Sequence, residues 1–131
     1  MMAASTAANA GAAKKILIVD DSPTERQFLL ETLSKSGYQC IVAGSGEEAV
    51  LKSRTEMPDV ILMDVVMPGT NGYQATRTIA REPSTKHIPV IMCTSKSQET
   101  DKVWGMRQGA KDYLVKPINA KELLAKIVAL P

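Results

Sequence analysis

The chain has 131 residues, 44% of them apolar but only 4% aromatic, and a formal net charge of +2. That length fits one domain with an aliphatic core. So weak a charge, without a Lys/Arg run, a zinc-ligand spacing or an RNA-binding aromatic motif, argues against a nucleic-acid partner, and no stretch reaches the length of a membrane span.

Residues 1–13 are mostly Ala with Ser, Thr, Asn and Gly. They lack the charged and apolar regions of a secretory signal, so a flexible tail on a cytoplasmic protein is expected, with the folded domain over 14–131. The first strand, Ile16 to Val19, runs into Asp20-Asp21. Ser22-Pro-Thr-Glu25 is a capping box opening a helix whose apolar face is Phe28, Leu29 and Leu33, with Gly37 as its stop. Tyr38 to Ala43 reads as a second strand, and Ser45-Gly-Glu-Glu48 caps a second helix that fades near Met57-Pro58. The third strand, Asp59 to Asp64, ends in a lone carboxylate. Met67-Pro-Gly69 makes a turn, and Asn71-Gly72 starts a third helix that must end by Pro83. Val90 to Cys93 runs into Thr94-Ser95. Ser97 is expected to cap a fourth helix, with Val103 and Met106 facing inward and Gly109 ending it. Asp112 to Val115 runs into Lys116-Pro117, and Asn119 caps a last helix striped by Leu123, Leu124, Ile127 and Val128.

Short Val- and Ile-rich runs alternating with helices predict strands buried on both faces of a parallel sheet. Five such units give a doubly wound α/β fold, (βα)5, with the flavodoxin-like strand order 2-1-3-4-5. Ligands of such sheets bind beyond the carboxyl ends of the strands. Asp20, Asp21, Asp64, Thr94 and Lys116 should therefore converge on one crevice. Two carboxylates about 4 Å apart repel by ~4 kcal/mol at an effective dielectric of 20. A hard dication offsets that, and Mg²⁺ suits a site of few carboxylates. A lysine and a metal flanking a lone carboxylate make a place for phosphoryl chemistry, with a carboxylate attacking in line and Thr94 offering a hydroxyl. His87, the sole histidine, lies in a loop without a partner.

Other signals admit two readings. Gly44-Ser-Gly46-Glu-Glu-Ala49 fits a dinucleotide-binding pattern but follows a strand expected at the sheet edge, so a tight turn is the better reading. Trp104 either packs against the sheet or a neighbouring helix, or is a partly exposed anchor, in a region made basic by Lys96, Lys102, Arg107 and Lys111. Cys40 and Cys93 fall on strands separated by three spacings, roughly 14 Å, too far for a disulfide.

Taken together, Ile16-Leu-Ile-Val-Asp-Asp-Ser22, Asp59-Val-Ile-Leu-Met-Asp-Val-Val-Met-Pro-Gly69 with Gly72, Pro89-Val-Ile-Met-Cys-Thr-Ser95 and Gly109-Ala-Lys-Asp-Tyr-Leu-Val-Lys-Pro117 resemble the CheY-like receiver domains of two-component response regulators. Residues 71–77 and 98–109 further resemble the PilH-type regulators of twitching motility. The resemblance implies a signalling protein rather than an enzyme. Asp64 would take a phosphoryl group from a histidine kinase. Asp20, Asp21, Asp64 and the Val66 carbonyl would hold Mg²⁺, and Lys116 would pair with the phosphoryl group. Thr94 and Tyr113 would act as the switch. The Lys116–Pro117 bond would be cis, and Val66 and Lys96 would occupy positions that tune dephosphorylation. With nothing following the fifth helix, a stand-alone receiver is expected. It would act on a downstream protein through the face of the fourth helix, fifth strand and fifth helix, or drain phosphate from a shared kinase. A Mg²⁺-dependent small-molecule phosphatase of the haloacid dehalogenase type is the alternative from another class. It needs an Asp-x-Asp after the first strand, which Asp20-Asp21 does not provide.

Overall fold

The computed structural model describes residues 14–130, so the tail expected over 1–13 lies outside the described residues. Five strands, β1 (Lys15–Val19), β2 (Gln39–Ala43), β3 (Val60–Met63), β4 (Val90–Thr94) and β5 (Asp112–Val115), form one sheet in the order β2-β1-β3-β4-β5. Every pairing is parallel, with Ile16 opposite both Cys40 and Val60. The helices are α1 (Pro23–Lys35), α2 (Gly46–Glu56), α3 (Gly72–Arg81), α4 (Glu99–Arg107) and α5 (Ala120–Ala129). This is the expected doubly wound fold. Two strands begin or end a residue inside the expected bounds, as Tyr38, Asp59 and Asp64 fall just outside the ladder.

Alternation along the strands sorts side chains to two cores. Ile16, Ile18, Leu62 and Cys93 meet Leu29 and Leu33 of α1 and Leu123 and Ile127 of α5 on one face. Leu17, Val19, Ile61 and Met63 meet Ala49 of α2 and Ala75 and Ile79 of α3 on the other. Each large aliphatic side chain fully removed from water contributes about 1.5–3 kcal/mol. A third cluster of Val65, Met92, Ala110 and Tyr113, joined by Tyr73, lies under α4.

Three helical faces differ from expectation. Phe28 is 45% exposed, and Val128 is 72% exposed, so α1 docks through Leu29 and Leu33 and α5 through Leu123 and Ile127. Val103 and Met106 do not face inward: they are 43% and 44% exposed, and Gly105 is the buried residue of α4. A Cβ on Gly105 would stand 3.2 Å from the Tyr113 ring and 3.5 Å from the Met92 sulfur, so the helix sits on the sheet through its backbone. The α4 N-cap is Gln98 rather than Ser97, because the Asp101 carboxylate accepts the Gln98 N–H at 3.2 Å.

The turns follow the glycines. Gly37 and Gly109 adopt φ of 92° and 113°, left-handed conformations that end α1 and α4. Both cysteines are free thiols: Cys93 is buried, and Cys40 is half-buried on the edge strand β2. Burial pushes the Cys93 thiol up to about 12, which leaves it inert.

Candidate functional site

Parallel strands of matched register bring their carboxyl ends to one edge. Asp20 leaves β1 with its N–H bonded to the Ala43 carbonyl at 3.1 Å, and Asp64 leaves β3 bonded to the Val19 carbonyl at 2.9 Å. Lys116 leaves β5 with its N–H on the Thr94 carbonyl at 2.8 Å, and its bond to Pro117 is cis, as the resemblance implies. Between them opens a cleft of about 720 Å³, lined by Asp20, Asp21, Asp64 and Lys116 together with the apolar Phe28 and Ile118.

The three aspartates are brought together. Each offers a carboxylate oxygen, and the three oxygens lie within 4.8 Å of one another. Asp20 and Asp64 are buried, whereas Asp21 is exposed at the mouth. The Lys116 ammonium reaches Asp20 Oδ2 at 2.9 Å and Asp64 Oδ1 at 3.3 Å. The other Asp20 oxygen accepts the Ser22 N–H at 2.9 Å, and Arg26 donates to the Asp20 carbonyl at 2.7 Å. Burial, followed by the charge of Asp20, pushes the Asp64 carboxyl up from 3.8 to about 6 despite Lys116. Burial alone would lower the lysine, but hydrogen bonds to Glu25 and Asp20 outweigh it and hold the ammonium charged well above its ordinary range.

Glu25 is the site residue that the sequence did not single out. Its carboxylate stands 2.6 Å from Lys116 Nζ. In the expected capping box it would reach back to the Ser22 N–H. Only half of that box forms: Ser22 Oγ accepts the Glu25 N–H at 3.3 Å, while the Ser22 N–H is taken by Asp20. A capping-box Glu whose cap amide already has a carboxylate two residues earlier was the available signal.

Thr94 is fully buried at the end of β4, and its hydroxyl accepts the Lys96 N–H at 3.3 Å. Tyr113 is 9% exposed and donates its hydroxyl to the Lys96 carbonyl at 2.9 Å. One loop residue thus links the two through its backbone. Val66 stands at the rim of the cleft, 58% exposed, and Lys96 is exposed. The glycine pattern at residues 44–49 follows the edge strand and does not line the cleft, and the Glu48 carboxylate already accepts the Gly44 N–H at 2.8 Å. A carboxylate on that amide repels a pyrophosphate, so the glycines serve the turn.

Gly72 has a packing role behind the site. A Cβ there would lie 2.1 Å from the Asp64 carbonyl oxygen and 2.8 Å from Val65 Cα. Gly72→Ala is therefore expected to destabilise the fold by about 2 kcal/mol or more through backbone displacement. Urea unfolding of the two proteins measures it, and equal midpoints would contradict the contact.

A doubly wound five-stranded sheet with three aspartates and a lysine at its carboxyl edge defines a receiver domain, and the comparisons agree. The chain belongs to the family described as response regulator receiver domain, whose profile matches residues 16–128. Among curated relatives, protein PilH of Pseudomonas aeruginosa is 55% identical over 116 residues, covering 88% of this chain and 96% of PilH. The transcriptional regulator PhoB of the same organism is 38% identical over 117 residues, but the chain spans only 51% of it. Among solved structures, the chemotaxis protein CheY4 of Vibrio cholerae superposes with a TM-score of 0.85 at 34% identity, covering 90% of this chain and 98% of CheY4. The receiver domain of sensor histidine kinase PA1611 from Pseudomonas aeruginosa has a TM-score of 0.81 at 31% identity, covering 87% and 93%, and holds a magnesium ion in its active-site cleft. Among the described residues no helix is long and apolar enough to cross a membrane.

Proposed function

We propose that Asp64 accepts a phosphoryl group from the phosphohistidine of a histidine kinase, and that the acyl phosphate changes this protein's contacts with a downstream protein. The observation that carries this reading is the Lys116 ammonium set between Asp20 and Asp64, 2.9 and 3.3 Å away, in an open cleft. The donor set fits Mg²⁺: three carboxylate oxygens converge, one of them from exposed Asp21. Asp20, Asp21, Asp64 and the Val66 carbonyl would hold the ion. When bound, it supplies positive charge to the oxygens of the transferring group.

The chain's own residues do the rest. An Asp64 carboxylate oxygen attacks phosphorus in line, the P–N bond breaks, and the imidazole leaves with the electron pair. Lys116 already contacts the attacking carboxylate and can follow the charge onto the phosphoryl oxygens. Its raised pKa keeps it cationic throughout the neutral range. Phe28 and Ile118 give a donor domain an apolar wall to cover beside the acceptor.

Thr94 and Tyr113 carry the change outward. A hydroxyl turned toward a phosphoryl oxygen gives up the Lys96 N–H, and Lys96 also holds Tyr113. Charge-assisted hydrogen bonds contribute ~1.5–3 kcal/mol each, and reversing a two-state equilibrium from 1:99 to 99:1 takes ~5.5 kcal/mol. Two or three such bonds suffice. The downstream contact would lie on the face of α4, β5 and α5, and likeness to PilH favours a role in twitching motility or a chemotaxis-like pathway in the cytoplasm.

Incubation with acetyl phosphate and Mg²⁺, followed by intact mass, is the test. One added phosphoryl group is expected, absent in Asp64→Asn and without Mg²⁺. An unmodified chain that instead turns over small phosphate esters repeatedly would support the phosphatase reading.

A further inference from the structure

The positive charge of this chain is concentrated in one stretch. From Arg77 to Lys111 seven Lys and Arg stand against three Asp and Glu, while the remainder of the chain is net acidic. Within that stretch α3 and α4 lie side by side. The Tyr73 and Trp104 rings meet edge-on, with centroids 6.4 Å apart. Tyr73 donates to the Asp101 carbonyl at 3.4 Å, Arg77 Nε donates to Gln108 Oε1 at 2.7 Å, and Gly109 lies against Ala80. The helical period places Tyr73, Arg77 and Arg81 along one flank of α3, and Trp104 and Arg107 along the facing flank of α4.

This seam is aromatic, cationic and uncovered. Trp104 is 46% exposed and Val103 beside it 43%. Arg77, Arg81 and Arg107 enter no ion pair among the described residues. Of the three acids in the stretch, Glu82 pairs with Arg54, the Asp101 carboxylate accepts from Gln98 at the start of α4, and Glu99 forms no ion pair with these arginines. Exposed arginines around a half-buried tryptophan and a tyrosine have the composition of protein-binding hot spots. Arg77 and Trp104 are also pre-oriented by their own partners, so little side-chain freedom is lost on binding.

We infer that the α3–α4 seam is a docking surface for an acidic, amphipathic segment of a partner protein, whose apolar side chain packs on Trp104 and whose carboxylates pair with Arg77, Arg81 and Arg107. Charge complementarity selects that occupant. A second copy of this chain would bring the same cations face to face. Nucleic acid would need a longer cationic track than three arginines on a chain of net charge +2. The seam lies on the α3 side of α4, apart from the α4–β5–α5 face, and it does not depend on Asp64 accepting phosphate.

The test is an amide NMR titration of the full chain with a synthetic peptide that places Glu and Leu on opposite faces of a helix. Saturable shifts centred on Tyr73, Arg77, Trp104 and Arg107 are expected. The double variant Arg77→Glu/Arg107→Glu should weaken binding about tenfold or more, and Trp104→Ala by a similar factor. Both sets of changes are on exposed positions, and circular dichroism confirms that the variants are folded. Shifts centred elsewhere, or equal affinity of the variants, overturn the proposal. So does equal binding of an all-Glu peptide. Tighter binding of single-stranded DNA or of anionic phosphatidylserine vesicles to the same residues would assign the surface to those ligands instead. A sedimentation-detected dimer abolished by Arg107→Glu would assign it to a second copy.

Discussion

Lys116→Met is expected to destabilise the metal-free protein by about 3 kcal/mol at mildly alkaline pH, with much of that loss reversed by Mg²⁺. The lysine contacts Asp20, Glu25 and Asp64, and the Asp20 and Asp64 side chains are only 2% and 7% exposed. Without it, carboxylate oxygens within 4.8 Å of one another face each other uncompensated. At an effective dielectric of 20 that repulsion is about 3–4 kcal/mol. Protonation limits the damage. Asp64 already titrates near 6, and losing the lysine pushes it further up, so the variant takes up a proton as the solution is acidified. The deficit should therefore shrink toward about pH 5 and widen toward about pH 8. Urea unfolding in EDTA across that range measures it. A deficit independent of pH would mean that the lysine acts through its alkyl packing rather than its charge.

The opposite sign is expected for Asp64→Asn. The Asp64 carboxyl is raised from 3.8 to about 6 in the folded protein, chiefly by burial. The folded state then binds more protons than the unfolded state between these values, so stability falls as pH rises through that window and stays low above it. Two units correspond to about 3 kcal/mol, a net value that already includes the Lys116 contact, and the asparagine amide replaces a protonated carboxyl only in part. The asparagine variant should be more stable than the parent by about 1–2 kcal/mol at neutral pH in EDTA. The difference should vanish near pH 4 and be reduced by Mg²⁺. The acceptor would thus be held at a cost to the metal-free fold, a strain common at functional sites. A variant less stable than the parent at neutral pH would show that Asp64 is already compensated without metal.

The fold was legible because its signals are local. Apolar runs such as Ile16 to Val19 and Val60 to Met63 have one place to go in a chain of this size, and Ser22, Ser45, Asn71 and Asn119 each cap the helix that they precede. The converging aspartates were equally legible, because parallel strands carry their last residues to a common edge. What escaped is non-local. Asp20, two residues before the Ser22 cap, hints that Glu25 is free of the capping box, but nothing near Glu25 in sequence shows that Lys116, just after the last strand, will draw its carboxylate. The period of α4 points to Val103 and Met106, but the contact surface under it is Tyr113, which leaves room only for Gly105. A helix that docks through a glycine turns its apolar side chains outward, and so Trp104 stands in solvent beside Tyr73 rather than in the core.

The proposed role of Asp64 as phosphoacceptor is tested most directly by chemical mapping of the modified residue. The protein is treated with acetyl phosphate and Mg²⁺, reduced with borohydride, digested and sequenced by mass spectrometry. An acyl phosphate is reduced to the alcohol, so Asp64 should be recovered as homoserine, with Asp20 and Asp21 unchanged. Homoserine at Asp20 or Asp21, or a borohydride-resistant phosphate on Thr94 or Ser95, would contradict the account.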